Sequence, residues 1–102
     1  MKTSVRNRLL RLGRPVTQRL PTPDTERATW IWVLPVPDGR IRVAAVAVAR
    51  ELVDSGACFA EDDVRTESVT FVDRVDDVDA IVVALGGDPS GLESPWRNEF
   101  PL

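Results

Sequence analysis

Seven carboxylates fall in two short stretches, Glu61, Asp62 and Asp63 in the first and Asp73, Asp76, Asp77 and Asp79 in the second. A hard cation such as Mg²⁺ or Ca²⁺ needs several such oxygens converging on one point, and a pair of them can serve as general acid and base. The run Asp73-Arg74-Val75-Asp76-Asp77-Val78-Asp79 lacks the regular alternation and the turn glycine of a Ca²⁺ loop. Solvated loop acids, some capping a helix, are the expected reading. A metal-dependent hydrolase using them ranks third among three functional readings.

The chain has no histidine. That removes Ser-His and Cys-His nucleophiles, which need an imidazole to take a proton near neutral pH, and it removes His-ligated zinc. The single cysteine, Cys58, has no partner for a disulfide or a thiolate zinc site, so a reducing cytoplasm is the natural setting. Following an apolar stretch, Cys58 reads as a small buried hydrophobe. No cofactor and no metal ligand set is implied.

Gly86-Gly87-Asp88-Pro89-Ser90-Gly91 follows an expected strand, which is where a phosphate-cradling loop would sit, but such a loop needs a helix N-terminus behind it and usually a lysine. Only eleven residues follow, with prolines at 95 and 101, so a flexible exit from a sheet is expected. Trp30 and Trp32 alternate along a strand and project to one side, where indoles can stack on the bases of single-stranded nucleic acid or pave a core. Core packing has the larger claim.

Residues 1–20 carry Lys2, Arg6, Arg8, Arg11, Arg14 and Arg19 and no acid, while residues 21–102 carry a balance of -9 within a chain of net charge -3. Such a split marks a segment that engages something acidic, whether phosphates, a partner or the body of the same chain. Arginine favours bidentate contact to carboxylate or phosphate, so Arg6, Arg8, Arg11, Arg14 and Arg19 are the candidate binding residues of the arm. At the other end, Trp96, Arg97 and Phe100 are of the types enriched in interface hot spots, and they make the tail either a docking element or a cover for its own domain. The Arg-rich, acid-free start also matches an organelle transit peptide in composition.

The elements that must position these residues are short. Val5, Leu9, Leu12, Val16 and Leu20 recur at helical spacing, but Gly13 and Pro15 limit the helix to about Leu12 and leave an extended segment after it. Residues 28–34 form a strand rich in β-branched and aromatic side chains, and Pro37-Asp38-Gly39 is a turn. The Ala-rich stretch 41–55 is expected as the main helix, capped by Gly56, with a hairpin followed by a shorter helix as the rival at 40–48. Residues 67–73 form a second strand. Residues 80–85 form a third, because Ile81, Val82 and Val83 lose χ1 freedom in a helix, although Val75, Val78, Val82 and Leu85 also mark one helical face.

The predicted fold is a small two-layer α+β domain of order β-α-β-β, one main helix on a three-stranded, mostly antiparallel sheet, with an extended N-terminal arm and a C-terminal tail. Residues 1–22 form the arm and linker, 23–93 the domain and 94–102 the tail. At 102 residues there is little volume for both a packed core and a deep active site, so function is expected at a surface. The leading reading is a non-catalytic interaction or assembly protein in the cytoplasm or an assembled particle, viral or nucleoprotein. It is an accessory subunit whose arm and tail contact other chains or a second copy, with no small-molecule substrate and no transmembrane segment. The second reading is a nucleic-acid-binding module whose arm contacts phosphates, with Trp30 and Trp32 available for stacking.

Overall fold

The computed structural model describes residues 1–22, 25–56 and 64–101. Cys58 and the acidic run Glu61 to Asp63 lie outside the described residues, as do Pro23 and Asp24 of the expected linker. Helix α1 (Thr3–Leu10) leads into strand β1 (Val16–Leu20), then β2 (Arg27–Pro35), β3 (Ile41–Ala49), helix α2 (Arg50–Asp54), β4 (Val64–Val72) and helix α3 (Val78–Ala84). Single 3₁₀ turns occupy Val75–Asp77, Pro89–Gly91 and Pro95–Asn98. The strands form one four-stranded sheet in the order β1-β2-β3-β4, every neighbouring pair antiparallel.

The α+β class stands, with three corrections of detail. The sheet has four strands, because the extended segment after Pro15 pairs with β2 from Val16↔Val33 to Leu20↔Thr29. The expected main helix over 41–55 is instead β3 followed by the short α2, which is the hairpin alternative. Its alanines mislead by composition. Ala44 is paired with the Trp32 indole and its neighbour in the run, Val46, with that of Trp30, and Ile41, Val43, Val46 and Val48 are all buried. A continuous apolar run buried on both faces of a central strand has no helical periodicity to satisfy.

The third correction is residues 80–85, expected as a strand and found within and just beyond α3. Val75, Val78 and Val82 are buried on one face while Val83 is 60% exposed. The helix penalty of β-branched residues is a few tenths of a kcal/mol each, whereas burying a valine contributes about 1.5 kcal/mol or more. Burial decides. The single main helix is thus replaced, among the described residues, by three short ones.

The turn at Pro37-Asp38-Gly39 forms as its chemistry dictates. Gly39 takes φ +91°, its N–H donates to the Val36 carbonyl at 3.1 Å, and the Asp38 carboxylate accepts from the Arg40 N–H at 2.9 Å. The Arg40 guanidinium also pairs with Asp38 and holds that carboxyl below its ordinary range.

Both faces of the central strands are covered. On one, Val5 and Leu9 of α1 and Val78 and Val82 of α3 pack with Val16, Ile31, Val33, Ile41 and Val43 of the strands. On the other, Ala28, Trp30, Ala44, Val46 and Val48 pack with Phe100 from the tail and with Leu52 and Val53 of α2. No helix among the described residues is long and apolar enough to cross a membrane.

Candidate functional site

The basic segment lies on the body of the chain. Val5 and Leu9, one turn apart on α1, are buried, so the opposite side of the helix presents its arginines outward. Three of the six basic side chains are neutralised internally: Lys2 pairs with Glu93, Arg6 with Asp76 at 2.7 Å and Arg19 with Glu99 at 3.0 Å. The Met1 ammonium donates to Asp79 at 2.7 Å. The Arg6 guanidinium lowers the pKa of Asp76, and the Lys2 ammonium lowers that of Glu93. Arg8, Arg11 and Arg14 make no ion pair among the described residues.

Those three arginines gather at the C-terminal end of α1. The Arg8 Nε donates to the Pro15 carbonyl at 2.8 Å and the Arg14 N–H donates to the Arg8 carbonyl at 3.1 Å, folding residues 11–15 back over the end of the helix. Gly13, at φ +62°, makes that reversal without the steric cost a side chain would bring. Leu10 and Leu12 stand exposed beside the arginines, at 53% and 64%.

The tail divides its residues between two tasks. Phe100 is buried against the tryptophan face, edge-on to Trp30 at 5.6 Å and tilted on Trp32 at 5.2 Å. The Trp30 Nε1–H donates to the Asn98 carbonyl at 2.8 Å, and the Asn98 side chain donates to the Thr17 carbonyl at 2.7 Å, so the tail is fastened to β1 and β2 together. Trp30 is fully buried and Trp32 half-buried, with Arg42 over the latter ring. Trp96 faces outward instead, 67% exposed, and the Arg8 guanidinium lies 4.8 Å over its ring.

The glycine-rich loop serves the fold. The Asp88 N–H donates to Gln18 Oε1 at 2.7 Å, the Gln18 amide returns a bond to the Asp88 carbonyl at 2.9 Å, and the Ser90 N–H and hydroxyl both donate to the Asp88 carboxylate. These donors are committed within the chain, and the helix expected behind a phosphate cradle is a single 3₁₀ turn. The acids of the second stretch point to separate cations: Asp76 to Arg6, Asp77 to Arg74 and Asp79 to the Met1 ammonium. Among the described residues no three metal-ligating side chains converge.

A groove of about 380 Å³ lies between α1 and the tail, walled by Val5, Arg8 and Lys2 on one side and by Ser94, Trp96 and Arg97 on the other. Its one carboxylate, Glu93, is held by Lys2, so the excess charge of the lining is positive. Sequence reading named Arg8, Trp96 and Arg97 separately, in arm and tail; the fold sets them on one surface. A sheet this small is expected to leave edges in need of cover. The sequence does not place the open one, among the described residues, at β4, whose side chains from Arg65 to Val69 are exposed, because an edge is defined by strand order and not by composition. No family model, curated protein or solved structure matches this chain.

Proposed function

We propose that this chain is a non-catalytic interaction protein, an accessory subunit that docks an acidic polypeptide segment of a larger assembly on the surface where α1 meets the tail. One observation carries the reading: Arg8 lies over the outward-facing Trp96, with Arg97 on the groove wall and Arg11 and Arg14 following on the same helix end. An exposed indole surrounded by arginines that make no ion pair among the described residues combines a large apolar contact with bidentate donors, the pairing that dominates interface energetics. The exposed Leu10 and Leu12 extend the apolar part of this surface. Absence of histidine and the dispersal of the described carboxylates support a binding role over a catalytic one.

The second reading, nucleic acid, draws on the same exposed indole, which can stack on a base while the arginines meet phosphates. A photo-crosslinking residue at Ser4, which lines the groove, separates the two when the full chain is expressed in its native cells. The expected result is a discrete protein adduct that disappears when Arg11 and Arg14 are both replaced by Glu. A nucleic-acid adduct would transfer the reading to the second class, and an adduct indifferent to the charge reversal would overturn both.

A further inference from the structure

The two edges of the sheet are treated differently. Along β1 the outer edge is closed by the chain itself: Thr17 and Glu93 exchange N–H···O bonds at 2.8 and 2.9 Å, and Gln18 and Arg19 are engaged by Asp88 and Glu99. Along β4, among the described residues, hydrogen bonding runs only inward to β3. A nine-residue edge strand without proline or lysine is a template for another strand.

The two halves of β4 are unlike each other. Its register with β3 is regular from Val72↔Ile41 to Ser68↔Ala45 and then slips by one, leaving Glu67 as an extra residue. Both charges of the strand, Arg65 and Glu67, lie in the irregular half. The regular half, Ser68 to Val72, is uncharged and carries Val69 and Phe71 on one face, 41% and 44% exposed, with Arg40 over the Phe71 ring. Charge and bulge therefore guard one half of the edge and leave the other open.

We propose that this open half pairs antiparallel with the same segment of a second copy of the chain, about a two-fold axis through Thr70. The five residues are centred on Thr70, and side chains on one face remain on one face across such an axis. Val69 then sits opposite Phe71 of the second copy, twice, and Ser68 opposite Val72, so the exposed apolar pair becomes a closed four-residue cluster. No charged residue lies within the five pairs. Glu67 would next meet Asp73 of the second copy, and this like-charge contact ends the ladder at both sides. The inference does not rest on the groove at α1, which lies by the opposite edge of the sheet.

Light scattering of the full chain over a concentration series tests it. The expected result is a monomer–dimer equilibrium that tightens as salt rises, because salt screens the Glu67–Asp73 repulsion; association through the arginines of α1 would weaken instead. Val69→Lys, at a site already exposed, should weaken the dimer by about tenfold or more. Register is read separately in a Cys58→Ser background under oxidised glutathione. Directly paired residues have Cα atoms about 4.5–5.5 Å apart, within disulfide reach, so Thr70→Cys should give a covalent dimer. Ser68→Cys should not, since its own copy lies four residues away, about 13 Å. A monomer at every concentration, a dimer indifferent to Val69→Lys, or equal crosslinking of the two cysteine variants would each overturn the proposal.

Discussion

Gln18 shows how one side chain fixes the identity of residues far along the chain. Its amide is bonded in both directions to the backbone of Asp88, and a Cβ on either Gly87 or Gly91 would collide with it. The two glycines differ in what else surrounds them. At Gly91 only Gln18 stands in the way, whereas at Gly87 a Cβ would also come within 2.6 Å of Ile31 Cδ1 and 3.0 Å of Val82 Cγ1, both in the core. Gly87→Ala should therefore destabilise by about 1–3 kcal/mol, the usual cost of overpacking, whether or not Gln18 is present. Gly91→Ala should destabilise the parent, but add little further cost in a Gln18→Ala background. Chemical denaturation of the two double-mutant cycles measures the difference, and equal coupling of both glycines to Gln18 would refute the assignment.

At the scale of elements, local signals were legible and pairing was not. The helix before Gly13, the strand at 28–34 and the Pro37-Asp38-Gly39 turn each follow from residues that act on their own backbone. The identities of β3 and α3 depend on what lies beside them: alanines become a strand next to Trp30 and Trp32, and valines become a helix once one face is buried. The site was half legible for the same reason. Arg8 and Trp96 have the right chemistry in isolation, but their meeting needs α1 and the tail to pack beside β1 together. That packing predicts an exchange pattern. The Thr17 and Glu93 amides, each bonded to the other's carbonyl, should exchange with deuterium as slowly as those of β2, since loss of the edge requires opening the sheet. Exchange of both within the dead time would show a mobile terminus instead.

For the molecule as a whole, the charge split is an adhesive that holds the N-terminal segment to the acidic remainder as much as a display. Residues 1–20 carry six positive side chains against the acidic remainder, and Lys2, Arg6 and Arg19 place theirs on Glu93, Asp76 and Glu99. Asp76 and Glu93 have pKa values lowered in the folded state, the first chiefly by its hydrogen bond from Arg6 and the second by that from Lys2. A carboxyl whose folded pKa lies below its unfolded one contributes stability that is complete above the unfolded value, about 4, and lost as pH falls through the folded value. With no histidine to titrate, the melting temperature should be nearly level from pH 7 down to about 5 and then fall steeply below 4. Arg6→Ala removes one of the couplings, so its melting temperature should approach that of the parent as pH drops through this lower window, while lying below it at pH 7. The gap should also narrow in high salt, because both partners are solvent-exposed. A gap that stays constant from pH 7 to 2 would mean that Arg6 acts by packing its alkyl chain, and that the charge split does not hold α1 on the sheet.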